Sequence, residues 1–115
     1  MDEEWTFAEV IRLARAFLDQ PRSALQTAVS ITSLGLVHLP CWDALGGAHG
    51  PLSALYGADD DAEKQHFLGN DVEKWHPSLI EEKRVALADA ERFWASGVWA
   101  GCDALVAYAA TRKNT

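Results

Sequence analysis

Basic residues are scarce in this chain of 115 residues, and no stretch of the sequence holds a cluster of them. Ten Lys and Arg stand against seventeen Asp and Glu, for a formal net charge of −7, and no Lys or Arg lies between Ser23 and Glu63. Proteins that bind nucleic acid need a basic footprint to displace counterions from phosphates, so the composition excludes a nucleic-acid partner. Anionic membrane surfaces are disfavoured for the same reason. Cysteine is nearly absent too. Cys41 and Cys102 are too few for a disulfide framework, and two reduced, buried thiols are expected. The opening Met1-Asp2-Glu3-Glu4-Trp5 is acidic and lacks the basic segment that precedes the apolar part of an export signal, so the expected location is cytoplasmic. Sustained period-2 alternation, internal repeats and low-complexity tracts are all missing.

A true membrane span is missing as well, although one stretch imitates it. The twenty residues from Ser23 to Trp42 carry no charge, which is the length a spanning helix needs. They include Ser23, Gln26, Thr27, Ser30, Thr32, Ser33 and His38, and Gly35 and Pro40 interrupt them. Such a run is too polar for lipid and too uncharged for a solvent face. Its place is the middle of a helical bundle, so the helix it forms is expected to be the most buried element, with Val29 inside.

What is present is helical patterning. Phe7, Val10, Ile11, Ala14, Phe17 and Leu18 recur at helical spacing, behind a Thr6-Phe7-Ala8-Glu9 capping box. This predicts a first helix over 7–19, ended by Gln20-Pro21, with Trp5 as a staple against Val10. A second helix is predicted from 22 to 34, extending at most to 38. The segment 40–61 is punctuated by Pro40, Gly46, Gly47, Gly50, Pro51 and Gly57. It reads as a long connection anchored by Trp42, Leu45, Leu55 and Tyr56, with one helical turn each at Cys41–Leu45 and Leu52–Tyr56. Asp60–Glu63 reads as a helix start with acids in its first turn, and 71–75 as a further turn. From Ser78 the helical pattern returns, with Leu79, Ala86, Ala90, Phe93 and Trp94 on one apolar face, and it resumes past Gly97 with Val98, Cys102, Leu105 and Val106. The apolar direction shifts by roughly a quarter turn across Gly97, which favours one long helix bending there over two helices. The expectation is an all-α fold: a single helical domain over 1–115, an irregular bundle of four to six helices with a long, kinked C-terminal helix.

Chemistry-bearing motifs are incomplete. His38, Cys41, His49, His66, His76 and Cys102 do not assemble the spacing of a tetrahedral metal site, so no metal and no cofactor is expected. Gly46-Gly47-Ala48-His49-Gly50 is rich in glycine around a histidine, but it lacks a nucleophile elbow and matches no phosphate-binding pattern. Cys41 and His49 could pair as thiol and imidazole, with no third group in view. An enzyme is not expected.

Two features remain, acid and tryptophan. Between Asp59 and Glu82, eight acids against Lys64 and Lys74 carry −6 of the chain's −7. There are five tryptophans. Trp94 is expected in the core, one of Val98 and Trp99 must lean away from it, and Trp42 and Trp75 sit in irregular segments beside acids. Aromatics beside charges are the usual make-up of a binding hot spot. The sequence therefore predicts a partner-binding face made of Asp59, Asp60, Asp61, Glu63, Asp71, Glu73 and Trp75, together with Trp42 and Tyr56. The function expected of it is a non-enzymatic protein-binding module. It would be an antagonist of the inhibitor or immunity type, blocking a basic-surfaced protein such as a toxin or nuclease, with acidic charge to speed association. The alternatives are a homo-oligomeric structural or adaptor protein, in which Gly97, Gly101 and Ala104 let two copies (a homodimer in the simplest case) approach closely, and a small enzyme or ligand carrier using the Gly46–Gly50 loop.

Overall fold

A computed structural model describes residues 3–21, 23–67 and 77–113, with side chains described for all of these except 63–67, 79, 80, 83 and 113. The architecture is all-α. Five helices follow one another: α1 over Glu3–Asp19, α2 over Ala24–Thr32, α3 over Pro40–Ala44, α4 over Ser53–Phe67 and α5 over Pro77–Lys113. Single 3-10 turns at Leu36–His38 and Gly47–His49 lie between them, and there is no strand among the described residues.

α1 ends at Asp19 as the Gln20-Pro21 signal predicts, but Thr6 does not cap it. The helix already runs from Glu3, so Thr6 lies within it and is buried in line with Val10, Ala14 and Phe17. Thr6 occupies the core-facing stripe, and that tertiary position overrides a local capping pattern. Trp5 is likewise inside the helix and largely exposed rather than stapled in front of it. Glu9 pairs with Arg12 one turn on.

α2 is shorter than its pattern suggests, because the chain turns out at Gly35, which holds the left-handed φ of +82° that glycine adopts without strain. Five of its nine residues, Ala24, Leu25, Ala28, Ile31 and Thr32, are buried. It packs on α4, α5 and α1, which explains the absence of charge. Val29 is nonetheless 37% exposed. The buried residues form one stripe at spacings of three and four, and Val29 falls one step, 100°, off it. The expectation of a buried Val29 is therefore wrong.

The start of α2 is tied to the middle of α5. Ser23 caps the helix, its hydroxyl accepting from the Gln26 amide at 3.1 Å. The same hydroxyl donates to Glu91 Oε1 at 2.5 Å. The Glu91 carboxylate also accepts from the backbone amides of Ala24 at 2.9 Å and Leu25 at 3.2 Å. One acid on α5 thus satisfies amides that a helix start leaves without intrahelical partners, and its charge lies at the favourable end of the α2 dipole.

The 40–61 stretch is largely helical. Pro40 opens α3, where its missing N–H costs nothing. Leu36, Leu39, Cys41, Leu52 and Leu55 all bury into the core. Gly50 lies so close to the preceding turn that a Cβ there would fall 1.8 Å from the Leu45 carbonyl oxygen. Each fully buried Leu or Ile here, such as Ile31, Leu36, Leu52, Leu55 and Leu105, contributes about 1.5–3 kcal/mol of transfer free energy.

α5 runs unbroken through Gly97. With 37 residues it is about 55 Å long, matching the molecule's longest dimension of 56 Å. Gly97 serves closeness rather than a break: a Cβ there would lie 2.9 Å from the Ala54 Cβ on α4. Gly101 lies similarly close to the Pro51 carbonyl and Leu55, and Gly57 on α4 faces Trp94. These pairings run in opposite chain directions, so α4 and α5 pack antiparallel through a small-residue seam. The seam closes inside one chain, and Gly97 and Gly101 are thereby removed as the contact of a homo-oligomer.

Candidate functional site

α4 carries Asp59, Asp60 and Asp61 in its middle, not at a helix start or in a loop. Consecutive helical residues are 100° apart, so three adjacent acids spread around the helix instead of forming one patch. Asp60 is exposed, while Asp59 and Asp61 are half-buried on its two flanks.

On one flank the structure brings together two residues singled out from sequence. Trp42 of α3 and Tyr56 of α4 meet edge to face, with ring centroids 5.2 Å apart at 78°. The Tyr56 hydroxyl oxygen accepts from the Val37 amide at 3.0 Å. Burial raises the Tyr56 pKa above its ordinary value, the Val37 hydrogen bond offsets part of that, and the nearby Asp59 carboxylate adds to the rise. Both rings are half-buried and packed against the core, so their main work is to seat the 36–50 connection on α4.

On the other flank Asp61 accepts from the Trp94 indole Nε1 at 2.8 Å. Asp61 is therefore a hydrogen-bond acceptor for a partly buried tryptophan. Trp94 in turn stacks edge-on against Phe93, with centroids 4.9 Å apart at 84°. Phe93 is 72% exposed, more than any other large apolar side chain among the described residues. Sequence reasoning placed it beside Trp94 on the core face. Adjacent helical residues differ by 100°, and of the neighbours of Phe93 on its own face, Asp89, Ala90, Ser96 and Gly97, two are polar and none is a large apolar residue. Of the Val98 and Trp99 pair, Val98 is buried and Trp99 leans out, its ring edge-to-face with Phe17 at 6.1 Å.

Glu63 lies in α4, with its side chain outside the described set, and Asp71, Glu73 and Trp75 lie outside the described residues altogether. Gly47 packs on the Trp42 indole, where a Cβ would come within 3.4 Å of Nε1. Cys41 and Cys102 are both buried and unbridged. Burial pushes the Cys41 thiol up to about 11 and the Cys102 thiol up to about 12. A thiol held protonated in this way is a poor nucleophile and a poor metal ligand. Among the described residues no group of three or more His, Cys, Asp or Glu could hold a metal ion, and no helix is long and apolar enough to cross a membrane.

No family model matches the chain, and no curated protein or solved structure matches it either.

Proposed function

We propose that this protein is a non-enzymatic binding module that meets a basic-surfaced partner protein, acting as an antagonist of the inhibitor or immunity type. The observation that carries the reading is Phe93. An aromatic ring held 72% exposed costs solubility, yet its position is braced from behind by Trp94, which Asp61 holds in turn. A braced, exposed aromatic near charged side chains has the composition of an interface anchor. The acid nearest it in sequence is Asp89, one turn before Phe93 and paired with Arg92, while Asp59 and Asp60 lie on α4. In this arrangement Phe93 supplies the apolar anchor, and the carboxylates steer a basic surface towards it. Trp42 and Tyr56 pack together on the Asp59 flank of α4, and Asp61 holds Trp94.

The test begins with capture of partner proteins from the native host on wild-type protein, with Phe93→Ala as the comparison. Stopped-flow rates are then measured at two salt concentrations with the purified partner. Asp59→Asn/Asp60→Asn is expected to slow association and flatten its salt dependence, and Phe93→Ala to speed dissociation. If both variants capture the same proteins with unchanged rates, the reading is wrong.

A further inference from the structure

Away from the α4 face, an open groove of about 710 Å³ runs between α1 and the C-terminal end of α5, a volume typical of small-molecule sites. Its floor is apolar, formed by Phe7, Ile11 and Ala109. Its walls are basic. Three of the chain's ten Lys and Arg, namely Arg12, Arg15 and Arg112, line this one groove in a protein of net charge −7. Arg12 is paired with Glu9, and the Arg112 guanidinium lies over the Phe7 ring with Cζ 4.8 Å from its centroid. Arg15 is exposed and has no hydrogen-bond or ion-pair partner among the described residues. The single acid of the lining, Glu4, lies eleven residues from Arg15 on α1, roughly 16 Å along the helix. The groove therefore has an apolar bed and an end formed by Arg12 and Arg15, where Glu9 pairs with Arg12 and Asp19 lies one turn beyond Arg15.

We propose that this groove binds an amphiphilic organic anion, of which a long-chain carboxylate is the simplest representative. The carboxylate would sit on Arg15 and Arg12, where guanidinium groups can donate two parallel hydrogen bonds, and the chain would lie along Phe7, Ile11 and Ala109. A cationic amphiphile meets three guanidinium groups there. A sugar or a nucleobase finds few hydrogen-bonding groups on the floor. The lining thus selects both for negative charge and for an apolar body.

The test is calorimetric titration of the full chain with monomeric dodecanoate, with octanoate as the short-chain comparison and dodecyltrimethylammonium as the charge-inverted one. Dodecanoate is expected to bind saturably at one per chain. Each fully buried methylene multiplies affinity by up to about fourfold, so dodecanoate should bind at least about tenfold more tightly than octanoate. Arg15→Ala should weaken it by about fivefold to tenfold, the loss of one charge-assisted contact. Ala8→Trp, at an exposed position in the groove lining, should fill the groove and abolish binding. Both substitutions are at exposed helical sites, and circular dichroism checks that the variants fold. The proposal is overturned if dodecanoate fails to bind saturably, if neither variant weakens it, or if the cation binds with the same sensitivity to Ala8→Trp. None of these outcomes depends on the α4 face, so this site and the protein-binding reading succeed or fail separately.

Discussion

Replacing Glu91 by Ala removes one carboxylate from the middle of α5, and the structure says what that does to a different helix. Three donors at the start of α2 lose their acceptor: the Ser23 hydroxyl and the amides of Ala24 and Leu25. Ala24 and Leu25 are both buried, so water reaches these amides poorly. A hydrogen bond to a charged group contributes about 1.5–3 kcal/mol, and loss of a helix cap costs about 1 kcal/mol. The three contacts share one carboxylate and are not additive, so Glu91→Ala should cost about 2–4 kcal/mol. For a domain of this size each kcal/mol moves the melting temperature by about 3–6 °C, so the variant should melt about 6–24 °C below wild type. Glu91→Gln keeps one acceptor oxygen and should lose about half as much. Urea unfolding followed at 222 nm measures both, and a double-mutant cycle with Ser23→Ala isolates the shared term, expected at about 1 kcal/mol. A Glu91→Ala variant within about 0.5 kcal/mol of wild type, or a coupling energy of zero, would refute the claim that α5 caps α2.

Gly57→Ala tests the α4–α5 seam. A Cβ there would lie 2.4 Å from the Trp94 ring, which Asp61 holds in place, so overpacking of about 2–3 kcal/mol should outweigh a helix-propensity gain of about 1 kcal/mol and leave a net cost of about 1–2 kcal/mol. The assay is again urea unfolding, and a variant as stable as wild type would show that Trp94 is free to move. The thiols supply a pH dependence. Burial raises both above the ordinary thiol value of about 8.5, Cys41 to about 11 and Cys102 to about 12. A group whose pKa is raised on folding contributes stability in full below its unfolded value and loses it as pH rises towards its folded value. Stability should therefore fall progressively between about pH 8.5 and 11, less so in a Cys41→Ala/Cys102→Ala variant, and a colorimetric thiol reagent should label neither cysteine of the native protein at neutral pH.

The all-α class, the end of α1, the position of α2 and the existence of a long C-terminal helix were legible because each rests on several apolar residues repeating at helical spacing. In the 40–61 segment the helical turns expected at 41–45 and 52–56 fall on α3 and α4, but the continuation of α4 through 57–61 was missed because glycine marks a turn whether or not a helix runs through it. Pro40 opens α3, Gly57 sits inside α4, and Gly97 sits inside α5. In the last two the missing Cβ admits a neighbouring helix, a reason invisible along one chain segment. The candidate face was legible in part. Trp42 and Tyr56 do meet, but Asp61 turns out to hold Trp94, and Phe93 was overlooked.

The sequence by itself determined what is periodic and local: an acidic chain without a basic cluster, helices with apolar stripes, two thiols too few for a framework, and a span too uncharged for solvent. Only the tertiary structure decided which partner each side chain meets. In sequence Glu91 is one of several acids on α5, and only the fold shows that it caps a helix 67 residues away at Ala24. The α4–α5 crossing also decided that Trp94 turns inward to Asp61 while Phe93 beside it faces solvent. The reason is that spacing along a helix fixes the angle between neighbouring side chains, whereas which angle points inward depends on the helices packed around it.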